Sequence, residues 1–361
     1  APGVGITKNE DGSFTAAAGM TAQMLDKDGN SVTAYNTLAE AVAAAEDGQT
    51  VTLLADATED VDISKSITLD LGGKTLTNTN AGKATISVTS GTVTVKNGNV
   101  VGGTSYYNIE AKKAANLTLT DVTATAGNNG SSMIDNYGTL TITSGTYTGG
   151  LDTVKNEPSA KLNITGGTFT LTKGNSDGFT GVVFNYGELT ISGGEFIQSD
   201  KSAPYGQAQV IHTDKSGSAA PSTVITGGTF KNLCTAKTTA WVVREMNAAA
   251  GATKVSGGAF NKEVKDYYCA DGFIPTKNAD GTYGVKVGKY VAEIGSKKYE
   301  TLADAIRLAA KGKTITLLCD VEQNTQLSIN KSITLDLNGK TIKNTEAIWN
   351  DDGTSVAILS I

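Results

Sequence analysis

Short stretches of the chain alternate apolar and small polar residues, as in Leu140-Thr141-Ile142-Thr143 and Leu189-Thr190-Ile191-Ser192. A period of two belongs to a strand with one buried face. Each stretch runs into small residues and then an apolar, often aromatic, residue. Ile164-Thr165-Gly166-Gly167-Thr168-Phe169 returns at Ile191–Phe196, Ile225–Phe230 and Val255–Phe260, and in looser form at Val95–Val100, Leu119–Ala124 and Ile142–Tyr147. The first residues of the early copies, at 95, 119, 142 and 164, lie 24, 23 and 22 residues apart. The later spacings are 27, 34 and 30, so the connecting loops lengthen toward the C-terminus. A Gly-Gly pair allows the positive φ that a sharp corner needs. One such repeat cannot bury its own apolar face, whereas stacked repeats share a continuous core. The pattern predicts an all-β solenoid whose strands form long parallel sheets.

The period changes at residues 37–46, where Leu38, Ala41, Val42 and Ala45 share one face of a predicted helix. Such a helix would plug an open end of the stack. The same signature recurs far downstream. Tyr35–Val42 matches Tyr299–Ile306 at an offset of 264 residues, and Gly48–Leu54 matches Gly312–Leu318 at the same offset. Lys65–Leu71 recurs unchanged as Lys331–Leu337, now offset by 266. Upstream, Thr7–Phe14 matches Thr276–Tyr283 at an offset of 269. Collinear blocks of this kind predict a tandem array of modules. Residues 1–34 then read as the tail of a preceding module plus a hairpin linker. Residues 35–266 read as a parallel β-helix with its capping helix, 267–298 as closing hairpins and linker, and 299–361 as the start of a second β-helix module.

Thr37–Val42 followed by Gly48–Leu53 resembles the capping helix and first strand of the pectin-lyase-like superfamily of right-handed parallel β-helices. Ile67–Leu76 resembles its early coils. The Gly-Gly-x-Phe repeats, with the closing segment Cys269–Phe273 to Asp280–Tyr283, are most similar to repetitive adhesin-like surface proteins of gut-type bacteria. The resemblance implies a non-enzymatic extracellular module, on a bacterial surface or secreted. Its role would be adhesion, carbohydrate binding or rigid spacing, and its partners host or microbial glycans, surface proteins, and further modules of the same parent chain. The alternative is a polysaccharide lyase or hydrolase, or an inactive glycan-binding descendant of one. Lyases of the superfamily imply clustered acidic calcium ligands and an arginine base, yet the module holds one arginine, Arg244. The sequence therefore points to no catalytic residue.

Composition narrows this further. The net charge is −6 and aromatics are 6%, which argues against a nucleic-acid ligand. No run of 18 apolar residues occurs, so no membrane insertion is expected. The three cysteines, Cys234, Cys269 and Cys319, lack metal-site spacing, and no cofactor is implied. Asp26-Lys27-Asp28-Gly29-Asn30 resembles the start of a calcium loop, but the second copy lacks it, which favours a plain hairpin turn over a metal site.

Aligning the repeats places Asn136, Asn156 and Asn185 at one corner, with His212, Arg244 and Glu245 near that position in the next two repeats. These three can extend an asparagine ladder bonded to backbone. The alternative is that they form a small polar site for a sugar carboxylate or for acid–base work. Tyr106, Tyr107, Tyr137, Tyr147, Tyr186 and Tyr205 can stack on sugars or pack beneath loops. The binding candidates are therefore His212, Arg244, Glu245, Tyr186 and Tyr205, flanked by expected loops at 102–115, 172–181, 198–222 and 231–250.

Overall fold

The computed structural model describes residues 3–173, 180–202, 208–235, 241–345 and 357–361. Strands account for 48% of the chain and helices for 5%, which makes it all-β. Two compact units divide it: residues 1–271 with 275–285, and residues 272–274 with 286–361.

In the first unit each repeat supplies up to three short strands, and each strand pairs in parallel with its counterpart in the next repeat. The first ladder runs from Thr50–Leu53 through Thr68–Asp70 and on to Thr253–Val255. Its inward residues stack as Val51, Leu69, Val95, Leu119, Ile142, Ile164, Ile191, Ile225 and Val255, all buried. The second ladder runs from Ala57–Thr58 to Ala259–Phe260. The third runs from Val61–Ile63 to Val243–Met246.

The second ladder explains the Gly-Gly-x-Phe signature. Tyr147, Phe169, Phe196, Phe230 and Phe260 form one buried stack, with ring centroids 4.9, 4.9, 5.0 and 4.7 Å apart. Tyr147 therefore belongs to the core, which removes it from the exposed sugar platforms. Its hydroxyl is satisfied by donating to the Ser144 carbonyl, 2.9 Å away. The two glycines have separate reasons. A Cβ on Gly227 would lie 2.3 Å from the Ser192 carbonyl oxygen of the previous repeat. Gly228 holds φ at +102°, where only glycine is unstrained.

The helix α1 (Leu38–Ala44) buries Leu38, Ala41 and Val42, with Ala45 just beyond its end. Thr37 and Glu40 form a reciprocal capping box at its start. Lys65 closes its end by donating to the carbonyls of Ala43 (2.8 Å) and Ala45 (2.5 Å). Before it, Ala22–Leu25 pairs antiparallel with both Ser31–Tyr35 and Thr50–Leu53.

The second unit builds the same devices. Helix α2 (Leu302–Leu308) begins at Thr301, which accepts the Asp304 amide. Lys331 donates to the carbonyls of Arg307 (2.7 Å) and Ala309 (2.9 Å). Asp320 accepts the Thr341 amide at 2.8 Å, as Asp56 accepts that of Thr75 at 2.8 Å. Ala292–Ile294 pairs antiparallel with Lys297–Tyr299 and Thr314–Leu317. One difference is instructive. Leu69 is fully buried, whereas its counterpart Leu335 is half-buried. Among the described residues no further strand of that ladder pairs beyond Thr334–Asp336 to cover it.

The expected loops at 102–115, 198–222 and 231–250 need correction. Ile109–Thr125 begins inside the first, Ala208–Asp214 lies inside the second, and Val243–Met246 inside the third. Most of the expected loop at 172–181 lies outside the described residues. Third-ladder strands are often only three residues long, as in Ile134–Asn136, too short for alternation to announce them. No disulfide joins the three cysteines. Among the described residues no helix is long and apolar enough to cross a membrane.

Removing a ring from the stack should be costly. Phe196→Ala is expected to destabilise the first unit by about 3–5 kcal/mol in urea unfolding. Phe14→Ala, at an exposed site, should stay within about 0.5 kcal/mol of the parent.

Candidate functional site

The third ladder carries the chemistry, because its two faces differ in kind. Its inner face continues as Ala111, Asn136, Asn156, Asn185, Thr213 and Glu245 in strict register. Asn136 Nδ2 donates to Asn156 Oδ1 (2.7 Å), and Asn156 Nδ2 to Asn185 Oδ1 (2.8 Å). Asn185 Nδ2 then reaches Thr223 Oγ1 at 3.0 Å, and Thr223 Oγ1 shares a 2.6 Å bond with Thr213. Asn136 and Asn185 also accept the amides of Gly138 and Gly187 two residues on, at 3.1 and 3.0 Å. The expected asparagine ladder is present.

Its continuation differs from the alignment. Thr213 and Glu245 occupy the next two positions, while His212 and Arg244 lie one residue earlier, on the opposite face. A one-residue step in a strand reverses the side a chain points to. The structure thus sets His212 beside Arg244 and separates both from Glu245. Glu245 accepts the Thr253 amide through its carboxylate, and its own amide donates to the Tyr268 hydroxyl at 2.9 Å. His212 is 0% exposed and stacks on Phe184, with centroids 4.4 Å apart. Burial pushes its pKa down to about 3, and the Arg244 charge adds to this, so the imidazole is neutral at neutral pH. Arg244 is half-buried, 6.0 Å from the Trp241 ring centroid. Tyr186 packs on Phe184 at 4.9 Å and joins the His212 side. Tyr205 lies outside the described residues.

The outer face reads Ser87, Glu110, Asp135, Lys155, Phe184, His212, Arg244. Beside its middle opens a cleft of about 280 Å³, lined by Tyr107, Ser131, Ser132, Asp152, Lys155, Phe184 and Tyr186. Of the charged residues around it, Glu110, Lys112, Asp135, Asp152, Lys155 and Glu157, only Asp152 and Lys155 line the cleft. Lys112 pairs with Glu110, and Lys155 with Glu157. Asp135 and Asp152 have no ion pair among the described residues. Asp152, 4% exposed, accepts the Gly181 amide at 2.9 Å and the Ser132 hydroxyl at 3.1 Å. Even so, burial raises its pKa to about 7. Asp135 is 0% exposed, and neither of its oxygens has a hydrogen-bond donor in bonding geometry among the described residues. The Tyr107 and Tyr137 hydroxyls nevertheless lie within looser hydrogen-bonding reach of its carboxylate, and that of Tyr107 opposes the rise in its pKa. Burial, reinforced by Glu157 and opposed by Lys155, raises its pKa to about 6.

Neither aspartate is among the residues the sequence singles out. A signal exists for Asp135: the triplets Ile134-Asp135-Asn136 and Val154-Lys155-Asn156 share an outward middle position. Asp152 follows Gly149 and Gly150 at a corner, where no periodicity marks it. The acidic hairpin at Asp26 behaves as a turn, since its carboxylate accepts the amides of Asp28 (2.9 Å) and Asn30 (2.8 Å). Among the described residues no group of acidic, histidine or cysteine side chains is arranged to hold a metal ion. The chain matches no protein-family model, no curated protein and no solved structure.

The raised aspartate pKa values carry a sign. The folded protein binds these protons more tightly than the unfolded chain, so stability falls as pH rises from about 4 to about 7. Each tenfold gain in proton affinity on folding corresponds to about 1.4 kcal/mol. His212 works oppositely below about pH 6.5, so the aspartates are best isolated by difference. Asp152→Asn should melt higher than the parent at about pH 8, and the gap should shrink steadily toward about pH 4. Thermal unfolding of both proteins across that range checks it.

Proposed function

We propose that this chain is part of an extended, non-enzymatic repeat protein, extracellular and bacterial. Its modules are right-handed parallel β-helices that act as rigid spacers and present glycan-binding clefts. The observation that carries the reading is the recurrence of one capping set, Thr37–Glu40 with Lys65 and again Thr301–Asp304 with Lys331. A chain that restarts the same module after 264 residues is organised as an array. Stacked repeats contact only their neighbours, so an array of them makes a rod rather than a globule. The aromatic and polar cleft beside Tyr186 supplies the adhesive element. Adhesin-like surface proteins, which the Gly-Gly-x-Phe repeats resemble, fit both parts.

Two measurements test this. Small-angle scattering from a chain of three such modules should give a maximum dimension that grows nearly linearly with module number. A value that levels off would refute the rod. A glycan array probed with residues 1–361 should return binders that compete with one another. An array with no binder would remove the adhesive half.

A second reading, a polysaccharide lyase or hydrolase, is favoured by one observation. Asp152, which lines an open cleft, has its proton affinity raised into the neutral range, as a general acid requires. Incubation of any bound polysaccharide with the protein, followed by reducing-end and unsaturated-product assays, decides between the two. Turnover lost in Asp152→Asn would establish the enzyme, and no product would leave the binding module.

A further inference from the structure

The charge balance of the cleft says what kind of ligand it suits. The lysine that lines it, Lys155, is matched by Glu157, and the nearby Lys112 by Glu110. What remains is the negative charge of Asp135 and Asp152. An anionic sugar would add like charge to a buried acidic site, and a neutral one would leave both carboxylates uncompensated. A primary ammonium brings one positive charge and three N–H donors. Each carboxylate oxygen can accept about two hydrogen bonds. Asp152 uses one at each oxygen, for Gly181 and Ser132, and Asp135 is approached only by the Tyr107 and Tyr137 hydroxyls. Asp135 stands beside Lys155 in the ladder and beside Tyr107, both of which line the cleft. Tyr107, Phe184 and Tyr186 add aromatic surface, which suits the flat C–H face of a pyranose. At about 280 Å³ the cleft is near the lower end of the sizes of small-molecule pockets.

We propose that the cleft beside Asp152 recognises a glycan unit bearing a free amino group. Its ammonium binds Asp152 directly within the field of Asp135, and its ring lies against Tyr186. This rests on the reading of the chain as a glycan-binding module and names the class of glycan. It also sets this cleft apart from sites for uronate polymers, which require cationic side chains left free to bind carboxylate.

Isothermal titration of the 361-residue chain at low salt tests it with four probes: an oligomer of 2-amino-2-deoxyglucose, its fully N-acetylated counterpart, an oligogalacturonate and an oligolysine. The amino oligomer should bind, with the other three about tenfold or more weaker. Asp152→Asn and Asp135→Asn should each weaken the amino oligomer about tenfold or more. Their melting temperatures at neutral pH should be unchanged or raised, which separates lost recognition from lost folding. Equal binding of the amino and N-acetylated oligomers would overturn the proposal, as would oligolysine binding as tightly as the amino sugar, or full affinity in both variants. Tight binding of the N-acetylated or uronate oligomer alone would also overturn it while leaving the glycan-binding reading intact. Failure of all three sugars would overturn it too, and the array experiment would then judge the broader reading.

Discussion

Everything in the first unit depends on parallel pairing of like with like. No single repeat has a core, because three short strands cannot enclose their own apolar side chains. Burial appears only when Ile142 sits over Leu119 and under Ile164, and Phe196 between Phe169 and Phe230. In-register pairing forces each side chain to meet its equivalent one strand spacing away. That spacing is close to the 4.7–5.0 Å separation of the stacked rings, so backbone hydrogen bonding and ring stacking demand the same geometry.

The same constraint turns polar positions into ladders. An asparagine stacked on an asparagine satisfies amide with carbonyl indefinitely, and Asn136, Asn156 and Asn185 do so while fully buried. A charged residue cannot be treated this way, since its stacked equivalent would repel it. Along the outer face the third ladder changes residue at every step, from Glu110 to Asp135 to Lys155 to Phe184. One of these steps sets like charge on like charge, Glu110 beside Asp135, and it adds to the rise in the Asp135 pKa. Holding Asp135 and Asp152 beside that face costs stability at neutral pH, as binding sites often do.

What could be read in the sequence follows the same division. Strands of four residues with a following Gly-Gly announced themselves, as did α1, whose buried residues are those its periodicity indicated. The three-residue strands of the third ladder did not, nor did the register of His212 and Arg244 on its last two strands. An offset of one residue was enough to move both from the inner ladder to the outer face. Asp152 was invisible for another reason: its burial depends on Ser132 and Gly181, which lie 20 and 29 residues away along the chain.

The near-identity of the two capping segments has a genetic consequence. Lys65–Leu71 and Lys331–Leu337 are the same seven residues, and the lysine of each closes the end of its helix. Coding segments that encode such copies can misalign during recombination. If the chain is an array of such modules, as proposed above, an unequal crossover between the copies removes or adds a whole module. On that reading, the number of modules is a property that a lineage can change in one event.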